Sequence, residues 1–374
     1  MVDVLPDLAR KGRGAVSNQS GRYEAHQRVA IDDGWAREPN GGAADHRVAA
    51  EAGDEALPPL ATTVGTDASR KAIARNTSPD LPFDRSINPY RGCEHGCVYC
   101  FARPTHAWLG LSPGLDFETK LFAKPEAPRL LEAELAQPSY RPATIALGTN
   151  TDPYQPVERR LEITRGLLEV LLRARHPVVI VTKSQLVLRD LDLLGALASA
   201  RLVKVMVSVT TLDPVLARRM EPRASAPARR IETIRALTRA GVPAGVMTAP
   251  MIPGLNDDEL EAILEAAVDA GACAANYVLL RLPLEIKYLF LEWLEAHYPD
   301  RKNRVVSLLR EARGGKLYDS AWGTRMRGRG VHAELLARRF ALARKRLHLD
   351  KADWALDNNA FRRPMLAGEQ LHLI

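Results

Sequence analysis

PVVIVTKSQLVLRDLDLLGALASARLVKVMVSVTT, residues 177–211, sets two short apolar runs, PVVIVTK and VKVMVSVTT, around the helical pattern LRDLDLLGALAS. The runs are almost continuously apolar, as expected of parallel strands covered on both sides. The same alternation extends in both directions. ATIALGT (143–149) precedes an amphipathic stretch from Glu158 to Arg173, and VKVMVSVTT leads to ARRIETIRALTRAG. PAGVMTAPMI (243–252) precedes DDELEAILEAAVDAG, and NYVLLRL (276–282) precedes EIKYLFLEWLEAHY. Five successive βα units imply an α/β fold with a parallel sheet, either open and doubly wound or a full or partial barrel. Both place their chemistry at the C-terminal ends of the strands. The polar clusters GTNTDPYQP, TKS, SVTT and PMIPGLND fall there.

The flanks differ in character. Residues 1–80 include GGAADHRVAAEAGDEALPPLATTVGTDASR, which has no lasting apolar period, and they read as a disordered tail. The fold proper is expected from FDRSINPY (83–90), giving a core domain over 81–300. Residues 301–374 read as a basic helical extension: 14 Lys/Arg stand against 3 Asp/Glu between Arg301 and Arg346, a balance of 14 − 3 = +11. That exceeds the +7 of the whole 374-residue chain, so this segment carries the basic character. A basic chain suits an anionic partner or is simply a basic soluble enzyme.

No stretch of 18 or more apolar residues occurs, so no membrane span is expected, and the N-terminus lacks the apolar run of a secretion signal. The expected compartment is the reducing cytoplasm, where clustered cysteines act more often as metal ligands than in disulfides. GCEHGCVYC (92–100) gathers three of the four cysteines, Cys93, Cys97 and Cys100. Structural zinc would want four ligands in separated pairs. His95, squeezed between two cysteines, reads as pointing outward, and Cys273 as a small buried apolar residue. A [4Fe–4S] cube takes four thiolates, so three leave one iron open to a group that is not protein. Gly92 and Gly96 give the loop freedom to wrap it.

Cys93-x3-Cys97-x2-Cys100, with Tyr99 before the last cysteine, resembles the signature of the radical S-adenosylmethionine (SAM) superfamily. That resemblance implies a partial (β/α)6 TIM-like barrel. It also implies an enzyme in which SAM chelates the open iron and is reductively cleaved to methionine and a 5′-deoxyadenosyl radical for hydrogen abstraction. An electron donor to the cluster is implied with it. GTNTDPYQP, VTKS, SVTTLDPVLARRMEPRASAPARRIETIRALTRAGVP and TAPMIPGLND further resemble the spore photoproduct lyase-like, or DNA repair photolyase-like, branch, over roughly residues 83–345. By that resemblance Thr151 and Asp152 lie near the methionine end of SAM and Lys183 faces its carboxylate. Ser208 meets the ribose or methionine part, Tyr99 lies near the adenine, and Glu221 and Arg223 brace the wall or pair structurally. No residue acting on substrate is assigned.

One departure stands out. The lyase of that branch carries a further cysteine at the end of the second strand, where this chain reads Gly148-Thr149-Asn150. Repair of the spore photoproduct is therefore not implied. The substrate is left as a nucleic acid, a protein or a small molecule. Arg325, Arg327 and Arg329, interleaved with Tyr318 and Trp322, either contact phosphates or belong to a lid packed over the barrel. The competing class is a non-catalytic, metal-stabilised nucleic-acid-binding protein, which needs a closed four-ligand site.

Overall fold

The computed structural model describes residues 7–27, 29, 31, 60–350 and 355–365. Along them run the strands β1 (Thr63–Thr66), β2 (Ile73–Arg75), β3 (Arg85–Ile87), β4 (Tyr90–Arg91), β5 (Lys120–Ala123), β6 (Ile145–Leu147), β7 (Val178–Thr182), β8 (Val203–Ser208), β9 (Ala244–Met251) and β10 (Ala275–Leu279). The principal helices are α1 (Ala127–Ala136), α2 (Ile163–Arg173), α3 (Leu191–Ser199), α4 (Pro227–Arg239), α5 (Leu260–Asp269), α6 (Ile286–His297), α7 (Pro299–Ala312) and α8 (Val331–Arg346).

The large sheet has the order β10-β9-β8-β7-β6-β3-β2. Its neighbours from β3 to β10 are parallel, with β2 antiparallel at the edge. That order decides between the two architectures. A doubly wound sheet reverses its strand order at a switch point, whereas here each new strand adds beside the last. Right-handed crossovers then put the helices that connect these strands on one side, and the sheet curls into a partial barrel of six parallel strands. The strands follow suit. In β7, Val178, Ile180 and Thr182 are fully buried, while Val179 and Val181 are half-buried on the face that the helices leave open.

Local chemistry sets the element ends. β6 stops at Leu147 because Gly148 turns the chain with φ +85°, and a β-carbon there would drive into the carbonyl oxygen of Val181. The amphipathic stretch from Glu158 is broken at Glu162, whose φ of 52° separates a short turn, Glu158–Leu161, from α2. The basic extension packs onto the barrel. Leu336 and Phe340 of α8 join the main core, and Phe340 lies 4.7 Å from the Tyr277 ring of β10. Among the described residues no helix is long and apolar enough to cross a membrane.

The expected tail over 1–80 falls partly on residues outside the described ones (1–6, 28, 30 and 32–59). Where the segment is described, it is packed, which corrects the expectation there. Ala15 and Ser17 are buried, β1 pairs with β5, and β2 pairs with β3. Residues 13–17 dock largely through backbone hydrogen bonds to a buried carboxylate, with only Ala15 and Val16 as buried apolar side chains, so no hydrophobic period announces them.

Candidate active site

The cysteine loop leaves β4 at Gly92 and crosses the C-terminal ends of the strands. Gly92 (φ +76°) and Gly96 (φ +66°) are both left-handed. A β-carbon at Gly92 would meet the carbonyl oxygen of Phe117 at 2.8 Å, and one at Gly96 would meet Glu118 Oε2 at 2.6 Å. The loop is therefore wrapped tightly on its outer side. Cys93 and Cys97 are buried and Cys100 is half-buried. Burial pushes all three thiols up. For Cys93 the Asp152 charge adds to it, and for Cys97 the Glu221 charge does, with Lys183 opposing at Cys97 and Cys100.

The residues expected around SAM do come together beside this loop. Asp152 Oδ2 accepts from the Lys183 N–H (2.7 Å), and its Oδ1 accepts from the Thr182 hydroxyl (2.7 Å) and the Tyr154 N–H (2.9 Å). Burial works against its charge, but His95 and these donors hold its carboxyl below the usual carboxylate range. The Thr151 hydroxyl donates to Tyr90 O (3.0 Å). Thr151 and Asp152 thus direct their polar atoms into the scaffold. Lys183 does not: its Nζ lies 5.8 Å from the centroid of the Tyr99 ring, beside Cys97 and Cys100, and it makes no ion pair among the described residues. β7 and β8 pair through Thr182 and Val207, which brings Lys183 next to Ser208.

Tyr99 is fixed from behind. Its hydroxyl donates to Glu221, whose carboxylate also accepts from the Thr210 hydroxyl (3.0 Å) and pairs with Arg230. Arg230 reaches on to the carbonyls of Ser208 (3.2 Å) and Ser225 (2.6 Å). Burial raises the Glu221 carboxyl, and the Arg230 charge opposes it. Glu221 and Arg223 are not partners: Arg223 pairs with Glu94 at 3.1 Å. His95, expected to point outward, is buried with Nδ1 3.3 Å from Asp152 Oδ2, close in charge but without hydrogen-bond geometry. The carboxylate draws the ring inward.

Sequence reading missed the clamp under the loop. Arg103 is fully buried and all five of its N–H groups are used, on the carbonyls of Cys97 (2.8 Å), Gly96 (3.0 Å), Pro113 (3.1 Å) and Gly114 (2.9 Å) and on the Glu118 carboxylate. Gln155 accepts from the Glu94 N–H (2.8 Å) and donates to Gly92 O (3.3 Å). No local pattern marks these residues, since an arginine after a cysteine motif looks like any other.

The arginine trio divides. Arg325 reaches across to Asp80 Oδ2 (2.6 Å) and Ser78 (2.5 Å), and stacks on Trp322 at 4.0 Å. Arg327 donates to Asn276 (2.9 Å) and lies 4.0 Å over the Tyr277 ring. Only Arg329 of the three is mostly exposed, at 59% of its side chain. The Leu279 N–H of β10 donates to Met326 O (2.9 Å), while Asp80 precedes β3. The segment 322–329 therefore joins the last strand of the barrel to the approach to its first.

These residues fit an iron–sulfur cube. The thiols are buried where a bare thiolate is costly, and a cationic cluster offsets that cost. The Asp152 N–H points to the Cys93 sulfur, and the Ala102 and Arg103 N–H groups to that of Cys100. Among the described residues no three His, Cys, Asp or Glu side chains converge on a point for a single ion. Thiolates that each hold a different corner of a cube need not converge. Cys273 stands at the N-terminal end of β10, away from this face, where its thiol donates to Ala244 O (3.4 Å).

A model of the radical SAM superfamily matches residues 87–267. An uncharacterized protein of Mycobacterium tuberculosis is 40% identical over 232 residues, 62% of this chain and 68% of the relative. One of Methanocaldococcus jannaschii is 27% identical over 215 residues, 57% and 76% of the two chains. Among solved structures, spore photoproduct lyase complexed with dinucleoside spore photoproduct superposes with a TM-score of 0.52 at 16% identity, covering 76% of this chain and 78% of that one. A variant of that lyase with bound AdoMet and dinucleoside spore photoproduct gives 0.54 at 15%, again over 76% and 78%. At such identities the likeness is one of fold.

Proposed function

The chain belongs to the radical SAM superfamily, and on that premise we propose that Cys93, Cys97 and Cys100 ligate its [4Fe–4S] cluster while Lys183 meets the SAM carboxylate. Membership makes the protein an enzyme that uses that cluster and SAM. When bound, the pair supplies a 5′-deoxyadenosyl radical for hydrogen abstraction from substrate. The observation that carries the assignment is the Lys183 ammonium, beside two of the thiols and in no ion pair among the described residues. A cation so placed recognises a carboxylate by a charge-assisted hydrogen bond.

The other residues shape the site. Asp152 ties the loop after β6 to the end of β7 and so fixes where Lys183 projects. Tyr99 offers a ring face whose orientation Glu221 and Arg230 lock, suited to stack on an adenine, and Ser208 supplies a strand-end hydroxyl next to Lys183. The apolar cluster of Val98, Met220, Ile252, Leu280 and Phe290 behind the loop excludes water.

A nucleic-acid substrate is the second reading. It is favoured by the likeness of fold to a lyase solved with a dinucleoside and by the exposure of Arg329, Arg338 and Lys345. Arg325 and Arg327 lend it no support. Photoproduct repair through a returning thiol finds no residue here: Gly148 has no room for a side chain, and Cys273 lies at the opposite end of the barrel. The non-catalytic alternative is set aside, because the chain's family is one of enzymes.

Anaerobic reconstitution with iron and sulfide, then reduction in the presence of SAM, should yield 5′-deoxyadenosine. A protein that retains a single zinc and no iron would sink the assignment.

A further inference from the structure

Residues 13–17 lie against the outer side of the cysteine loop. The Gly14 N–H donates to Glu118 Oε2 (2.9 Å) and the Ala15 N–H to Oε1 (2.8 Å), while Arg13 donates to Glu118 O (3.0 Å). Glu118 is fully buried, and its third donor is Arg103, the residue that grips the carbonyls of Gly96 and Cys97. The N-terminal segment thus supplies two of the three donors that neutralise the carboxylate under the clamp. A buried carboxylate stripped of its donors is costly to keep ionised.

The approach is also steric. Gly14 has no positive φ, yet a β-carbon there would overlap the carbonyl oxygen of Gly96 and stand 3.3 Å from Val98 N. Gly114 makes the mirror contact, its missing β-carbon leaving room for Ser17 O. At Gly14 the segment passes through a slot that admits backbone only. Ala15 closes the slot with Leu115 and Leu289.

We propose that residues 13–17 belong to the apparatus that holds the cysteine loop, a positioning role exerted through Glu118 and Arg103 that keeps solvent from the cluster's outer side. The proposal rests on the reading of the three cysteines as ligands. Gly14 and Glu118 are not among the residues proposed to hold iron or SAM.

The test uses the full chain with Gly14→Ala, Glu118→Gln and two controls. Gly195→Ala adds a methyl in α3 where nothing lies within 4 Å, and Leu197→Ala destabilises the core away from the loop. After reconstitution, iron per chain and the rate at which air bleaches the cluster's visible absorbance are measured. Hydrogen exchange of the peptide containing residues 93–103 is followed in the metal-free protein. Gly14→Ala and Glu118→Gln should bleach about fivefold faster or more, the factor expected for one lost buried hydrogen bond. They should also speed exchange in that peptide, while Gly195→Ala matches wild type and Leu197→Ala changes neither readout. Wild-type bleaching and exchange in the loop variants, or equal acceleration by Leu197→Ala, overturns the proposal. If Gly14→Ala does not fold, Glu118→Gln decides. A wild type that retains no iron sinks the ligand assignment instead, and the exchange measurement still reads the segment's hold on the loop.

Discussion

Replacing Lys183 with alanine isolates the contact on which the assignment of the site turns. The structure says why the substitution should be clean. Lys183 is held by its backbone, through the N–H to Asp152 (2.7 Å) and the carbonyl from Ser225 (3.3 Å), and alanine keeps both. Its ammonium forms no ion pair among the described residues, so removal leaves no buried carboxylate uncompensated. The thermal midpoint and the iron content should therefore stay at wild-type values. SAM binding should not. A unit charge about 4 Å from a carboxylate at a half-exposed position has a Coulomb energy of about 4 kcal/mol, of which desolvation returns a large part. A hydrogen bond to a charged group nets about 1.5–3 kcal/mol. That corresponds to a rise in Kd of about 10- to 150-fold. Anaerobic equilibrium dialysis of SAM against both reconstituted proteins reads it directly, with the electron paramagnetic resonance change on SAM addition as a second signal. Lys183→Arg keeps the charge and should recover part of the loss. Equal affinity in Lys183→Ala and wild type, with the cluster intact, would refute the reasoning and remove Lys183 from the site.

Cys93→Ala, Cys97→Ala or Cys100→Ala should each abolish stable iron retention, while Cys273→Ala, at the far end of β10, should leave iron and sulfide content unchanged. Arg325→Ala should lower the melting temperature in the absence of any nucleic acid, because it unties the segment 322–329 from Asp80 and Ser78; a wild-type melt with weakened, salt-sensitive nucleic-acid binding would restore the phosphate reading. His176, fully buried between the Tyr140 hydroxyl (2.8 Å) and Pro177 O (3.0 Å), has its pKa lowered to about 4 by burial. The carbonyl can only accept, so Nδ1 carries the proton and Nε2 accepts from Tyr140. A folded pKa below the unfolded value of about 6.5 means that the unfolded chain gains the proton first. Stability is then full above pH 6.5 and falls toward pH 4, by about 2 kcal/mol at pH 5 for this group. Denaturant unfolding at pH 7 and pH 5 should show a smaller loss for His176→Gln than for wild type; equal losses would remove His176 as the source.

Much of the scaffold is written locally. The runs around residues 145, 180, 205, 247 and 277 each form strands, because short, largely apolar stretches too brief for a helix pair side by side in a sheet. Gly92 and Gly96 mark the loop because left-handed backbone needs them. The apolar period of residues 163–173 likewise yields a helix that buries Ile163, Leu167 and Leu171. What stayed hidden was the partner of each polar residue. Asp152 accepts from the Lys183 N–H and the Thr182 hydroxyl, and Arg103, which looked like nothing, grips the carbonyls of Gly96 and Cys97.

The sequence by itself determined the parallel βα framework, the three clustered thiols and a lysine closing the third strand run, because hydrophobic period and cysteine spacing act over a few residues. Only the tertiary structure decided that the strands add in sequence and curl into an open barrel, and that residues 13–17 and 322–346 are drawn onto it. Arg325 finds Asp80 across 245 positions and Gly14 finds Glu118 across 104. Such pairs form because burial removes water and leaves each charge or N–H one partner within reach, and which partner that is depends on packing that no local stretch of chain contains.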